Sequence, residues 1–228
     1  MVWVGHLSPR RPTMDTRGVD SPRRSLTVVA AVGSAAVLAA LVSMVARGRP
    51  ATAYYDTFLL INGPSALVLL WTSRLVLGRA PGHGAGRTLL AIGIVSAAHA
   101  VVSAIVDARV VAAGFTGRLT GDPGIVPADL PLDASVPLLM MSWIWVPAPV
   151  LAIAILPLLF PDGRLPSSRW RPVVGVAAAG AVLLMVAFAI DAWPTADWWL
   201  PEDAPAVVGT LALGGAVLVL AAAGAALL

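Results

Sequence analysis

The chain has 228 residues, 58% of them hydrophobic and 12% charged, with a net charge of +3; a soluble domain carries roughly 25% charged residues, so this one cannot cover a water-facing surface. It has no cysteine, which excludes disulfides, thiolate metal sites and thiol catalysis. Every basic residue is arginine, and the arginines gather in the first tail and between apolar segments, a pattern that reads as a topology signal and not as a nucleic-acid interface.

A stretch of about 20 mainly apolar residues crosses the roughly 30 Å hydrocarbon core of a bilayer, and windows of that length recur along the chain. Residues 1–25 form a basic tail, in which Met14 offers an alternative start. The first window, 26–46, is followed by a small-x-small sequence at Ala51-Thr-Ala53. As a signal peptide it fits poorly, because the apolar run exceeds the roughly 7 to 15 residues of a signal core, and Arg47, Arg49 and Pro50 intervene. Further windows fall at about 57–77, 88–106, 136–160, 172–193 and 207–228, and the connectors between them hold the charges, glycines and prolines. The expected fold is an all-α membrane protein, a bundle of about six transmembrane helices in one domain, 26–228, with both termini cytoplasmic.

Orientation follows from the rule that cytoplasmic flanks retain positive charge. With a cytoplasmic start, Arg10, Arg11, Arg17, Arg23, Arg24, Arg74, Arg79, Arg87, Arg164, Arg169 and Arg171 lie inside. Arg47, Arg49, Arg109 and Arg118 lie outside, with nine of the twelve acids, among them Asp56, Asp107, Asp129, Asp133 and Asp191. The external Arg47 and Arg49 are the weak point, since they compete with the tail for retention. The chain is therefore expected in the plasma membrane as a multi-pass protein, with the lipid bilayer as its first partner.

In the third window Ser96, His99, Ser103 and Asp107 fall within an arc of about 80° at 100° per residue. Such a stripe should face the bundle interior, and an ionisable group inside a span is by default a functional hypothesis. The plain alternative is a histidine hydrogen-bonded to a neighbour such as Asn62 or Ser65. No second histidine or cysteine stands at ligand spacing, so neither a metal site nor a cofactor is expected. Arg74, about a turn from the inner end of the second window, is expected to extend towards the headgroups.

Pro137, Pro147, Pro149 and Pro157 make the fourth window the expected kinked helix, since each internal proline removes a backbone hydrogen bond. It ends in the turn Phe160-Pro161-Asp162-Gly163, with Arg164, Arg169 and Arg171 facing an anionic leaflet and Trp170 at headgroup depth. A positively charged turn that fixes topology is the bland reading, and a specific lipid or partner contact the sharper one.

The stretch Trp143-Ile-Trp-Val-Pro-Ala-Pro149 followed by Leu156-Pro-Leu-Leu-Phe-Pro-Asp-Gly-Arg-Leu-Pro-Ser-Ser-Arg-Trp-Arg-Pro172 resembles the membrane-spanning input region of actinobacterial sensor histidine kinases. There a tryptophan- and proline-bearing helix runs into a Leu-Phe-Pro-(Asp or Thr)-Gly-Arg-Leu-Pro-Ser-x-Arg-Trp-Arg-Pro turn. A weaker match is Gly86-Arg-Thr-Leu-Leu-Ala-Ile-Gly93, which lacks the Asn-Pro-Ile and tryptophan of the family's helix opening. The same turn recurs in relatives without a kinase domain. The resemblance implies a sensory or anchoring module whose partners are a cytoplasmic kinase core or a response regulator.

No phosphoacceptor histidine on a soluble helix, asparagine box or Asp-x-Gly-x-Gly loop occurs in these residues. Kinase activity therefore requires a core following Leu228, and otherwise the chain is a free-standing membrane module. The reading from another class is a small transporter or permease using the Ser96 to Asp107 stripe. Ala177, Gly180, Ala181, Gly214, Ala221, Gly224 and Ala225 allow close helix packing and tolerate a homodimer. Trp193, Trp198 and Trp199 read as an external aromatic belt.

Overall fold

The computed structural model describes residues 20–49, 59–112, 114, 132–192 and 206–227. The tail before Asp20, the loop carrying Asp129 and the belt of Trp193, Trp198 and Trp199 lie outside the described residues. Within them every regular element is helical, and six helices are long and apolar enough to cross a membrane.

Helix α1 spans Asp20–Ala46, α2 Leu59–Arg79 and α3 Gly84–Ala112. At 29 residues α3 is the longest, about 43 Å at 1.5 Å per residue. It extends past the 88–106 window at both ends because its terminal polar groups have partners. His83 precedes its first turn and accepts the Gly86 N–H on Nδ1 at 3.4 Å, while Thr88 Oγ1 donates to the Gly84 carbonyl. At the other end Asp107 is ion-paired and fully buried. The connector expected over 78–87 shrinks accordingly to Ala80–His83.

The fourth crossing is broken where its prolines fall. Helix α4 (Leu132–Ile144) stops at Trp145 and Val146, a short α5 (Pro147–Val150) follows, then a π-helical stretch Leu151–Ile155, then α6 (Leu156–Leu159). Pro147, Pro149 and Pro157 have no N–H to give, so the backbone repairs itself with bonds of other spacing. Val146 N–H reaches the Trp143 carbonyl, Ala148 N–H that of Trp145, and Leu156 N–H that of Leu151 five residues back. The kink expected from four prolines is thus a five-residue widening of the helix. Helices α7 (Arg171–Asp191) and α8 (Ala206–Leu227) complete the bundle.

The helices pack as two groups of three. Val37, Met44, Leu59, Leu70 and Ala100 fill the space between α1, α2 and α3. Val146, Val150, Ala154, Ala177, Val219 and Ala222 join the fourth crossing to α7 and α8, where the Trp145 and Phe188 rings sit 5.3 Å apart. Val106, Val110, Leu138 and Met141 stitch the groups together along α3 and α4. Large apolar side chains also cover the outside, among them Val32, Val42, Val68, Leu213 and Leu220. A soluble protein does not expose apolar surface on this scale.

Small residues set the closest approach. A Cβ on Gly180 would meet the Gly215 carbonyl oxygen at 2.8 Å, and one on Gly215 the Gly180 oxygen at 2.9 Å. The face of α8 that packs is Gly215, Val219 and Ala222. Of the residues expected to mediate packing there, Gly214 and Gly224 have nothing within 4 Å of the Cβ position, and Ala221 is exposed.

Candidate functional site

All four members of the α3 stripe turn inward: Ser96 is 3% exposed, His99 1%, and Ser103 and Asp107 0%. Residues spaced by three or four along a helix share a face, and here that face meets α2 and the end of α1. The stripe divides into two separately paired groups. His99 and Asp107 are eight residues apart, about 12 Å along the axis; His99 is paired from α2 and Asp107 from the segment that follows α1.

His99 Nδ1 lies 2.9 Å from Asn62 Nδ2. An amide nitrogen is a donor, so Nδ1 accepts and the ring proton sits on Nε2. That Nε2 is buried and meets no partner among the described residues. Asn62, not Ser65, therefore supplies the hydrogen bond that the stripe position invites.

Asp107 sits between two arginines that follow α1. Arg49 Nε reaches its Oδ1 at 2.7 Å and Arg47 Nη2 its Oδ2 at 3.1 Å, while Arg47 Nη2 also donates to the Ala104 carbonyl. The Arg49 side chain is 5% exposed and that of Arg47 25%. A carboxylate removed from water needs such partners, because an unpaired buried charge costs several kcal/mol. A more exposed pair, Arg109–Asp133 at 3.0 Å, ties the same end of α3 to α4.

The opposite end of the bundle is built around the turn after α6. Gly163 has φ +72°, a left-handed conformation that favours glycine. Its N–H returns to the Leu159 carbonyl, closing the helix, and its own carbonyl accepts the Gly84 N–H at 3.0 Å. His83 Nε2 adds a bond to the Pro161 carbonyl at 2.9 Å. With Nδ1 accepting from Gly86, the Nε2–H is the donor, so one imidazole both caps α3 and holds the turn. A Cβ on Gly84 would run into the Gly163 carbonyl, and one on Gly163 would meet the Gly84 nitrogen at 2.7 Å.

Around this contact Phe160, Pro161, Asp162, Arg164, Arg169 and Arg171 are exposed, Trp170 is half-buried and Gly163 is buried. Arg23, Arg24, Arg79 and Arg87 lie at the same end and are also exposed. Arg74 is anchored: its Nε donates to Thr27 Oγ1 at 2.8 Å and its guanidinium lies 5.5 Å from the Trp71 ring centre. Among the described residues no group of three His, Asp or Glu is placed to hold a metal ion.

Sequence reasoning singled out neither Arg47 and Arg49 nor His83 as site residues. The arginines carried a signal all the same, since two charges on the side that should repel them ask for an acid partner. His83 carried none, because its contact with Pro161 lies 78 positions away. No family model, curated protein or solved structure matches the chain.

Proposed function

We propose that the chain is a multi-pass membrane module with its arginine-rich end in the cytoplasm, serving as the sensory or anchoring part of a signalling protein of the sensor histidine kinase type. The residues described here carry no catalytic core. The observation that supports this reading best is the docking of the Phe160–Arg171 turn, the segment bearing the family resemblance, onto the start of α3 through Gly84 and His83. That contact links the two helix groups at the end where a cytoplasmic effector would sit. A shift between the groups would therefore be felt there. The stripe is at most 3% exposed, with His99 bonded to Asn62 and Asp107 to Arg49, which suits a closed polar core better than a substrate path.

The test is a set of chimaeras joining this chain after Leu227 to a histidine kinase core, with alanine insertions covering two helical turns at the junction. A signalling module passes helix rotation to the core, so autophosphorylation in vesicles should rise and fall with a helical period. Output that is identical for every insertion overturns the proposal. Uptake of solute by vesicles carrying the unfused chain would favour the transporter reading instead.

A further inference from the structure

The surface between α1 and α3 is not flush. An open groove of about 340 Å³ runs there, lined by Val28, Val29 and Val32 of α1, Leu70 of α2, and Ile94 and Ala97 of α3. Nearly all of its wall is hydrocarbon. Apolar walls of this kind gain contacts from an apolar occupant. Its walls alone do not say what fills it.

The charge above the groove indicates what does. Arg87 precedes Ile94 by seven residues, which places it within about 20° of the same direction and about 10 Å nearer the basic end. Arg24 stands one turn before Val28. Both are exposed, and among the described residues the Arg87 guanidinium reaches only the Pro81 carbonyl, at a long 3.5 Å. Their remaining donors suit a phosphate, which arginine binds through paired N–H groups.

We propose that this groove holds one acyl chain of an anionic phospholipid whose phosphate is bound by Arg87 and Arg24. The site rests on the membrane reading above and adds a specific lipid to it. Chain and headgroup are recognised by separate parts of the surface, so each can be removed alone.

The test uses the full chain in neutral detergent, stripped of lipid and titrated with dioleoyl phosphatidylglycerol, dioleoyl phosphatidylcholine or glycerol phosphate, with bound molecules counted by native mass spectrometry. One phosphatidylglycerol per chain is expected, held more tightly than phosphatidylcholine. Arg24→Gln and Arg87→Gln should each weaken it about fivefold, and should weaken phosphatidylcholine less, because its choline already offsets the phosphate charge. Ala97→Leu and Val32→Phe, which fill the groove, should weaken both lipids and remove the single bound phosphatidylglycerol. Val32 is 62% exposed, so its replacement leaves the core intact and decides the matter if Ala97→Leu fails to fold. Undiminished phosphatidylglycerol binding in Val32→Phe, equal binding of the two lipids, full competition by glycerol phosphate, or a dimer in place of the lipid adduct would each overturn the site. Flotation with vesicles after a carbonate wash tests the membrane reading separately. A chain that floats but shows no lipid preference loses the site alone, and one released by carbonate loses both.

Discussion

Arg49 Nε and Asp107 Oδ1 lie 2.7 Å apart with both side chains at 5% exposure or less, tying the segment after α1 to the last turns of α3. Removing one member of a buried ion pair leaves the other desolvated, which costs about 3 to 5 kcal/mol. Asp107→Asn should therefore lower stability by about 3 kcal/mol in thermal unfolding in detergent. Arg49→Gln should cost more than Arg47→Gln, because the Arg47 side chain keeps 25% of its exposure. The reverse order would show that Arg47 is the principal partner.

The contact between Gly84 and Gly163 makes a second expectation. Gly163→Ala places a Cβ on a left-handed residue, at about 1 to 2 kcal/mol, and also drives it into the Gly84 nitrogen. The turn should undock, seen as faster proteolysis after Arg164 in the purified protein. Gly48 has a similar φ of +64° but nothing within 4 Å of the added Cβ. Gly48→Ala should thus bear only the backbone cost and leave the turn protected. Equal cleavage in the two variants would remove the clamp from the account.

The inward turn of Ser96, His99, Ser103 and Asp107 was legible because helical spacing alone fixes which residues share a face. The broken fourth crossing was legible too, since a missing proline N–H has local consequences. What was illegible depends on which face meets which neighbour. On α8 the sequence offers small residues all round, so Gly214, Ala221 and Gly224 looked as suitable as Gly215 and Ala222. Only the position of α7 chooses between them. The His83 latch depends in the same way on a turn far along the chain, and no local pattern points from one to the other.

That choice of face supplies a test within two adjacent residues. Gly215→Ala must push against the Gly180 carbonyl and Leu184, and overpacking of this kind costs about 1 to 3 kcal/mol. Gly214→Ala meets nothing and replaces a poor helix former with the best one, a gain of up to about 1 kcal/mol. Thermal unfolding in detergent should move in opposite directions for the two variants. Shifts of the same sign would mean that α8 is rotated from the placement described.

Orientation is tested by fusion. With the arginine-rich end in the cytoplasm, alkaline phosphatase joined at Gly163 should be inactive, while fusions at Asp129 and Thr195 should be active. Activity at Gly163 would refute the six-span, inside-start topology whatever the bundle's internal packing.

The Asn62–His99 pair allows a sharper separation of structure from function. His99→Leu strands the Asn62 amide, and Asn62→Leu strands Nδ1 of His99; a buried polar group left without its partner costs about 1 to 3 kcal/mol. Replacing both partners by apolar groups leaves nothing to satisfy and can be nearly neutral, and it also deletes the unpartnered Nε2. Each single variant should therefore unfold at lower temperature, while Asn62→Leu/His99→Leu should return close to the parent. Membrane abundance of His99→Leu should hold, since a leucine enters a bilayer more easily than an imidazole. Output per folded molecule, read from the kinase chimaera, then divides the two roles of the stripe. A double variant with restored stability and unchanged output makes the pair purely structural. Restored stability with altered output assigns the Asn62–His99 pair to the switch, because packing has by then been excluded as the cause.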